Sequence, residues 1–364
     1  MILILFVIIA ALVFTYINGF HDTANSIATV VATKVLSPRQ AVLLAAVTNL
    51  IGAFLGTAVA TTIASGLVDP KVATSEVLIC ALLAAIFWNL LTWWFGMPAS
   101  SSHALVGGLC GACLAAAHNN WNVMVWSIPS HEHWWLGKGL LWKVVVPMIS
   151  SPICGLVGGF LVMGMLYFLL RNWRPTTVNR TFGILQLGSS SFMGISHGMN
   201  DAQKTMGIIA LALVAGTSGG LFDHLPGWLS FLRTAPPGAN QPLTIAAWIK
   251  ALCALTMCAG TAVGGWRIIK TLGHKMVRLH PVHGFAAETT AATVLITAAH
   301  FGMPVSTTHA VSTSIMGVGC AKGLNHLKLE VVERIIWAWI LTLPISGGAA
   351  YLLVWAAQMA GWIP

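Results

Sequence analysis

Two short segments of an otherwise apolar chain place ionisable side chains where membrane-spanning helices are expected. The first centres on Asp22, with His21 beside it. The second centres on Asp201, with His197 four residues before it and Lys204 three residues after it. An ionisable group inside a membrane is costly and indicates a functional site. A lone His or Asn would more often bond only a neighbouring helix, but two aspartates at matching positions favour a function in ion binding or proton transfer.

A second pair of segments carries hydroxyl groups. The sequences F-G-M-P-A-S-S-S-H-A at 95–104 and F-G-M-P-V-S-T-T-H-A at 301–310 are identical at seven of ten positions. Gly and Pro end one helix, and a hydroxyl residue caps the next. The free N–H groups and positive dipole end of such a helix attract anions. The candidate anion-binding hydroxyls are Ser100, Ser101, Ser102, Ser306, Thr307 and Thr308. The alternative is that they cap only the local backbone.

Carboxylate and amide groups near the two aspartates suit a coupling cation or a proton. The candidates for this role are Asp22, Asp201, Asn25, Glu288, His21 and His197, and Asn25, Asn200 and Lys204 are further candidates for the anion. Counted from each aspartate, Asn25 in the first segment corresponds to Lys204 in the second. A lysine there can stand where a metal ion would sit, contact the anion, or release a proton. The alternative is a simple Asp201–Lys204 ion pair.

The composition places these groups in a membrane. The chain has 364 residues, of which 57% are hydrophobic and 7% charged, whereas soluble domains carry about 25% charged residues. Apolar runs long enough to span a bilayer recur along the chain. These features predict an all-α polytopic membrane protein. The net charge of +9 fits cytoplasmic loops and attraction of an anionic solute, rather than nucleic acid.

The plan of the chain repeats. Each half reads as a helix broken around its aspartate (18–25 and 197–204), a second helix, a hinged pair at the hydroxyl motif (75–117 and 284–321), and a closing helix. If each hinged pair is a hairpin, twelve of the eighteen Lys and Arg lie on one side, which the positive-inside rule makes cytoplasmic. Both termini are then extracytoplasmic. Residues 1–170 form a first inverted repeat, 171–181 a cytoplasmic connection, and 182–364 the second inverted repeat, a plan typical of secondary transporters. Whether the hairpins are re-entrant or fully spanning stays open.

The motifs together resemble one family. N-G-F-H-D-T-A-N-S at 18–26, S-H-G-M-N-D-A-Q-K-T-M-G at 196–207 and the paired G-M-P-x-S-x-x-H stretches are similar to the inorganic phosphate transporter (Pit) family, in its bacterial low-affinity branch. The resemblance implies a homodimeric symporter of the cell inner membrane that imports phosphate. It implies a phosphate site between the hairpin tips and the broken helices. On this chain the site is Asp22, Asn25, Ser101, Ser102, Asn200, Asp201, Thr307 and Thr308.

The resemblance also bears on the coupling ion. Sodium-coupled members carry D-x-x-N in both repeats, whereas this chain has D-A-Q-K at 201–204. That departure matches the members that look proton-coupled, which are thought to accept phosphate as a neutral complex with a divalent metal. We therefore expect a proton-coupled phosphate importer that is not an enzyme and needs no resident cofactor. The alternatives are a sodium-coupled phosphate or sulfate symporter, a passive anion channel, and a non-transporting receptor.

Overall fold

The structure is a computed structural model that describes residues 2–130, 137–224, 226–234, 243–323, 325 and 327–363. Within these ranges the chain forms twelve α-helices and no extended sheet, so the predicted all-α class is confirmed. The helices of the first half are α1 (Ile2–Ala32), α2 (Pro38–Ala53), α3 (Ala58–Ser65), α4 (Ser75–Trp94), α5 (Ser101–Ala116) and α6 (Val146–Leu170). Those of the second half are α7 (Pro175–Ser218), α8 (Ala247–Val263), α9 (Trp266–Lys270), α10 (Pro281–His300), α11 (Thr307–Lys322) and α12 (Leu329–Met359).

The two halves present the same order of elements. A long helix is followed by a bent pair, a hairpin and a closing helix. The hairpins α4–α5 and α10–α11 turn at the repeated F-G-M-P segment, where Gly96 and Gly302 adopt φ of +63° and +64°, a conformation that favours glycine. Helices of one half also pack on helices of the other: α6 packs on α11, α12 on α5, α1 on α8, and α2 on α7. The inversion of one half relative to the other stays a prediction.

The predicted helix breaks lie elsewhere. Helices α1 and α7 run continuously through Asp22 and Asp201, so the breaks expected at 18–25 and 197–204 are wrong. The glycines in these segments serve close packing instead. A Cβ atom on Gly19 would lie 2.7 Å from the Met257 carbonyl oxygen, and one on Gly198 would lie 2.2 Å from the Asn49 carbonyl oxygen. The bends fall between α2 and α3 (65°) and in the corresponding α8–α9 segment (57°).

Several helices have the length and apolar composition of membrane spans. Four such segments are Ile2–Ala32, Ser75–Trp94, Leu141–Leu170 and Leu329–Met359, and each bent pair adds a further candidate. A π-helical turn, Leu141–Val145, precedes α6, and another, Thr271–Lys275, follows α9. The predicted connection at 171–181 is shorter than expected, because α7 already begins at Pro175. The basic stretch 267–283 contains most of α9 and the π-helical turn that follows it.

Candidate functional site

The centre of the molecule brings the two aspartate segments together. Asp22 and Asn25 lie on α1, one turn apart, and Asn200, Asp201 and Lys204 lie on α7. Each of these five side chains is at most 2% exposed. A spacing of three residues places side chains on one face of a helix, so no unwinding is needed to point them at the same place. Continuous helices therefore present the groups that the sequence assigned to broken ones.

The hairpin tips place the hydroxyl residues at helix N-termini. Ser100 is the N-cap of α5, and its Oγ accepts a hydrogen bond from the His103 backbone N–H at 3.1 Å. Ser306 caps α11 in the same way, accepting from the His309 N–H at 3.2 Å. These two hydroxyls therefore follow the alternative in which they serve the local backbone. The residues of the first helical turn, in contrast, point into the site.

The second hairpin tip contacts both aspartate segments. The Asn25 amide donates to the Thr307 and Thr308 hydroxyls at 3.2 and 3.0 Å. The Thr308 hydroxyl lies 3.4 Å from Asp22 Oδ1, and the Thr307 hydroxyl lies 3.3 Å from Asp201 Oδ2. One helix N-terminus thus touches α1 and α7 at once.

The first hairpin tip is held by Lys204. Its ammonium group donates to both the Asp201 carboxylate and the Ser102 hydroxyl. Ser102 in turn donates to the Val305 carbonyl oxygen at 2.9 Å, and the rings of His103 and His309 lie 4.8 Å apart. The two tips therefore meet each other, which the sequence left open.

Several polar atoms at this centre lack a protein partner. Within the described residues, the Ser101 hydroxyl, both polar atoms of the Asn200 amide and Oδ1 of Asn25 are buried without a hydrogen bond. Buried polar groups are almost always paired, with protein, water or ligand. Unpaired hydroxyl and amide groups beside two helix N-termini are suited to bind an oxyanion, because they add donors without adding full charge.

Two histidines support the aspartates. His21 Nδ1 lies 2.8 Å from Asp22 Oδ1, and its Nε2 lies 3.1 Å from the Thr92 hydroxyl. His197 Nε2 lies 3.2 Å from Asp201 Oδ2, and its Nδ1 lies 3.1 Å from Asn49 Oδ1. With the Asn49 amide oriented so that its nitrogen donates to Thr261 at 3.0 Å, its oxygen accepts from His197 Nδ1–H. The Nε2 lone pair then faces the Asp201 carboxylate, and a proton or cation between them removes the repulsion.

A metal ion also fits this arrangement. Ligand atoms of Asp22, His197 and Asp201 all lie within 4.8 Å of one another. Carboxylate oxygens and a neutral imidazole nitrogen are ordinary ligands of divalent metals. The same three groups can therefore hold either a metal ion or a proton.

Glu288 does not join this centre. Its buried carboxylate accepts hydrogen bonds from Thr29 and Ser189 hydroxyls and, at 2.9 Å, from the Gln186 amide. Thr29 lies one helical turn beyond Asn25 on α1, so Glu288 forms a separate polar cluster along the same helix. Sequence reasoning missed the partners Asn49 and Thr92. The signal available for them was an amide or hydroxyl residue within an otherwise apolar helix.

Taken together, the apolar helical fold, the two hairpins whose tips meet, and the buried centre lined by hydrogen-bond donors define a membrane transporter for an anionic solute. The chain matches the phosphate transporter family over residues 18–350, and it belongs to that family. It is 38% identical to a "Probable low-affinity inorganic phosphate transporter" of Bacillus subtilis, over 97% of this chain and 98% of the relative. A protein of the same name from Mycobacterium leprae is 38% identical over 100% of this chain and 80% of the relative.

A solved structure shares the fold. The chain superposes on a protein titled "The sodium-dependent phosphate transporter" with a TM-score of 0.80, covering 99% of this chain and 100% of the other at 22% identity. The expected family and the all-α membrane fold are confirmed. The relatives are named transporters, so the expectation that the chain is not an enzyme is confirmed as well.

Proposed function

We propose that this protein imports inorganic phosphate by symport with protons. The observation that carries the proton coupling is the Lys204 ammonium group, which joins the Asp201 carboxylate to the Ser102 hydroxyl. In a D-x-x-N pattern, the asparagine amide leaves room beside the aspartate for a metal cation. Here the Lys204 ammonium group occupies that place beside Asp201. The second half then supplies its own cation beside Asp201, so sodium is not needed at that position.

Phosphate binds between the two hairpin tips. The unpaired Ser101 hydroxyl and Asn200 amide are donors for its oxygens, and Ser102, Thr307 and Thr308 lie beside them. Phosphate displaces the hydrogen bonds that Asn25 now makes to the two threonines. Ser100 and Ser306 contribute indirectly by capping the helices whose N-termini face the anion.

The coupling proton binds among Asp22, Asp201 and His197. The His197 Nε2 lone pair facing Asp201 at 3.2 Å supports this position, and His21 orients Asp22 from the other side. Glu288 serves as a further proton carrier. Its contact with Thr29 on α1 supports this role, because Thr29 lies one turn from Asn25. Relative motion of the two halves then exposes the site to each side of the membrane in turn.

The cargo is either phosphate alone or a neutral complex of phosphate with a divalent metal. The close approach of Asp22, His197 and Asp201 ligand atoms supports a metal-phosphate cargo, since it provides metal ligands beside the anion site. The protein works as a homodimer in the cell inner membrane, with both termini on the extracytoplasmic side. The excess of Lys and Arg in the opposite loops supports this orientation.

Sodium-coupled transport of phosphate or sulfate is the second candidate. It is favoured by the first half, where Asp22 and Asn25 keep the D-x-x-N spacing. Hydroxyl and amide donors also suit either tetrahedral oxyanion. The alternatives of a passive channel and of a receptor gain no support from a site that is closed around buried charges.

Radiolabelled phosphate uptake into proteoliposomes separates these candidates. An inward proton gradient is imposed at equal sodium, and an inward sodium gradient at equal pH, each with and without magnesium. We expect uptake to follow the proton gradient, to ignore sodium, and to be poorly competed by sulfate. Uptake driven by sodium alone would overturn the proposed proton coupling. Equal competition by sulfate would overturn phosphate as the preferred substrate.

A further inference from the structure

A cavity lies apart from the central site, where three helix ends meet. It has a volume of about 330 Å³ and lies between the end of α6, the start of α7 and the start of α10. The polar side chains that line it are Tyr167, Arg171, Asn179, His280 and His283. Its lining includes no Asp or Glu, so the cavity presents no negative charge of its own.

The hydrogen bonds around His283 leave a donor free. The His280 backbone N–H donates to His283 Nδ1 at 3.0 Å, so this nitrogen carries a lone pair. A neutral imidazole then carries its hydrogen on Nε2, which lies 3.0 Å from the Tyr167 hydroxyl and donates to it. The Tyr167 hydroxyl hydrogen is thereby left to donate to a further acceptor.

A cation stands beside this donor. Arg171 is exposed, and its guanidinium group lies 5.0 Å from the centre of the Phe168 ring. None of the ion pairs formed by the described residues involves it. An arginine beside a hydroxyl donor, in a cavity without carboxylates, is suited to a phosphate group.

The position of the cavity favours a lipid head group as the source of that phosphate. It lies where the apolar helix α6 ends, and Phe168, Leu169 and Trp173 are exposed around it, as expected of side chains that meet the edge of a bilayer. Its walls also include Leu170, Val178 and Val282, which suit acyl chains. Basic pockets between membrane helices bind anionic head groups in this manner.

We propose that this cavity binds the phosphate group of an anionic phospholipid at the membrane boundary. Inorganic phosphate offers the same chemistry and is the rival source. The lipid would hold α6, α7 and α10 together at the junction of the two halves, outside the transport site.

Native mass spectrometry of the full-length protein, after exchange into mixed phosphatidylglycerol and phosphatidylcholine, tests the proposal. We expect one retained phosphatidylglycerol per chain, about tenfold weaker retention in Arg171→Gln, and a smaller loss in Tyr167→Phe. Arg39→Gln, which removes an arginine at the start of α2 away from the cavity, is the matched control and should retain the lipid. Equal retention of both lipids, or unchanged retention in Arg171→Gln, would overturn the proposal.

Phosphate binding in phosphatidylcholine nanodiscs separates the two sources. One phosphate per chain, at the transport site, is expected in the wild type and in Arg171→Gln alike. A second bound phosphate that disappears in Arg171→Gln would assign the cavity to inorganic phosphate and overturn the lipid. Both variants alter exposed or half-exposed side chains, and a thermal unfolding curve matching the wild type excludes misfolding as the cause of lost lipid.

Discussion

The two halves of the molecule hold equivalent aspartates in different ways. Asp22 has a histidine beside it and an amide one turn on, and Asn25 reaches across to the hydroxyls of the second hairpin. Asp201 has a lysine at the position of that amide, and Lys204 reaches across to a hydroxyl of the first hairpin. The geometry is retained while the charge changes. A repeat can therefore keep its architecture and still differ in the charge that it places beside its aspartate.

The largest expected effect comes from removing the carboxylates one at a time. Both Asp22→Asn and Asp201→Asn should lower phosphate uptake by about 100-fold, because each removes a charge at the centre. Only Asp201→Asn should also destabilise the protein, by about 3–5 kcal/mol, since it leaves the Lys204 ammonium group buried without a charged partner. Uptake in proteoliposomes and thermal unfolding measure the two effects. Normal uptake by both variants would exclude a coupling role for either aspartate.

Exchanging the residue that differs between the halves should alter the cation requirement. Lys204→Asn gives both halves the D-x-x-N pattern and leaves Asp201 without its ammonium partner. We expect uptake to fall at least about tenfold without sodium and to recover in part when sodium is added. Lys71→Asn, in an exposed segment away from the centre, is the control and should stay insensitive to sodium. A Lys204→Asn variant indifferent to sodium would show that the lysine does not replace a metal cation.

The turns of the two hairpins also differ in the side chains that stabilise them. Arg267 donates to the Trp94 carbonyl oxygen at 2.6 Å and lies 5.1 and 4.6 Å from the Trp93 and Trp94 ring centres. At the second turn, Lys143 donates to the Phe301 carbonyl oxygen at 2.7 Å. We expect Arg267→Gln to cost about 1–2 kcal/mol of stability and Lys143→Gln less. Thermal unfolding of the two variants compares them, and equal losses would mean that the ring contacts contribute nothing.

The smallest expected effect separates a cap from a ligand within one motif. Ser100→Ala removes an N-cap and should lower stability by about 1 kcal/mol, while the KM for phosphate stays near the wild-type value. Ser101→Ala removes an unpaired hydroxyl and should raise KM several-fold with little change in stability. Uptake kinetics and thermal unfolding of the purified variants check both. The reverse pattern would assign the anion to Ser100 instead.

The sequence predicted the fold class and most of the residues that meet at the centre, but it misplaced the helix breaks. Apolar runs and sparse charge were enough for the membrane class, and the paired motifs were enough to single out the hairpins and both aspartates. Breaks at Gly19 and Gly198 were expected wrongly, because a glycine that permits unwinding and a glycine that permits close packing look the same in one dimension. The bends after α2 and α8 fall in short segments without proline, at Gly56 and Gly264 with φ of +89° and +77°, and these glycines look no different in the sequence from those that permit close packing.

What the sequence by itself determined was the set of chemical groups: two carboxylates, a lysine in place of an amide, and two hydroxyl-bearing helix starts in an apolar chain. Their types and spacing follow from local rules of helix capping and from the cost of charge in a membrane. Tertiary structure alone decided which groups meet. Lys204 reaches Ser102 and Asn25 reaches Thr307 because the packing of the two halves brings each long helix to the tip of the other half's hairpin, over separations of 102 and 282 residues. Local sequence cannot encode such contacts. The same packing separated Glu288 from the aspartates.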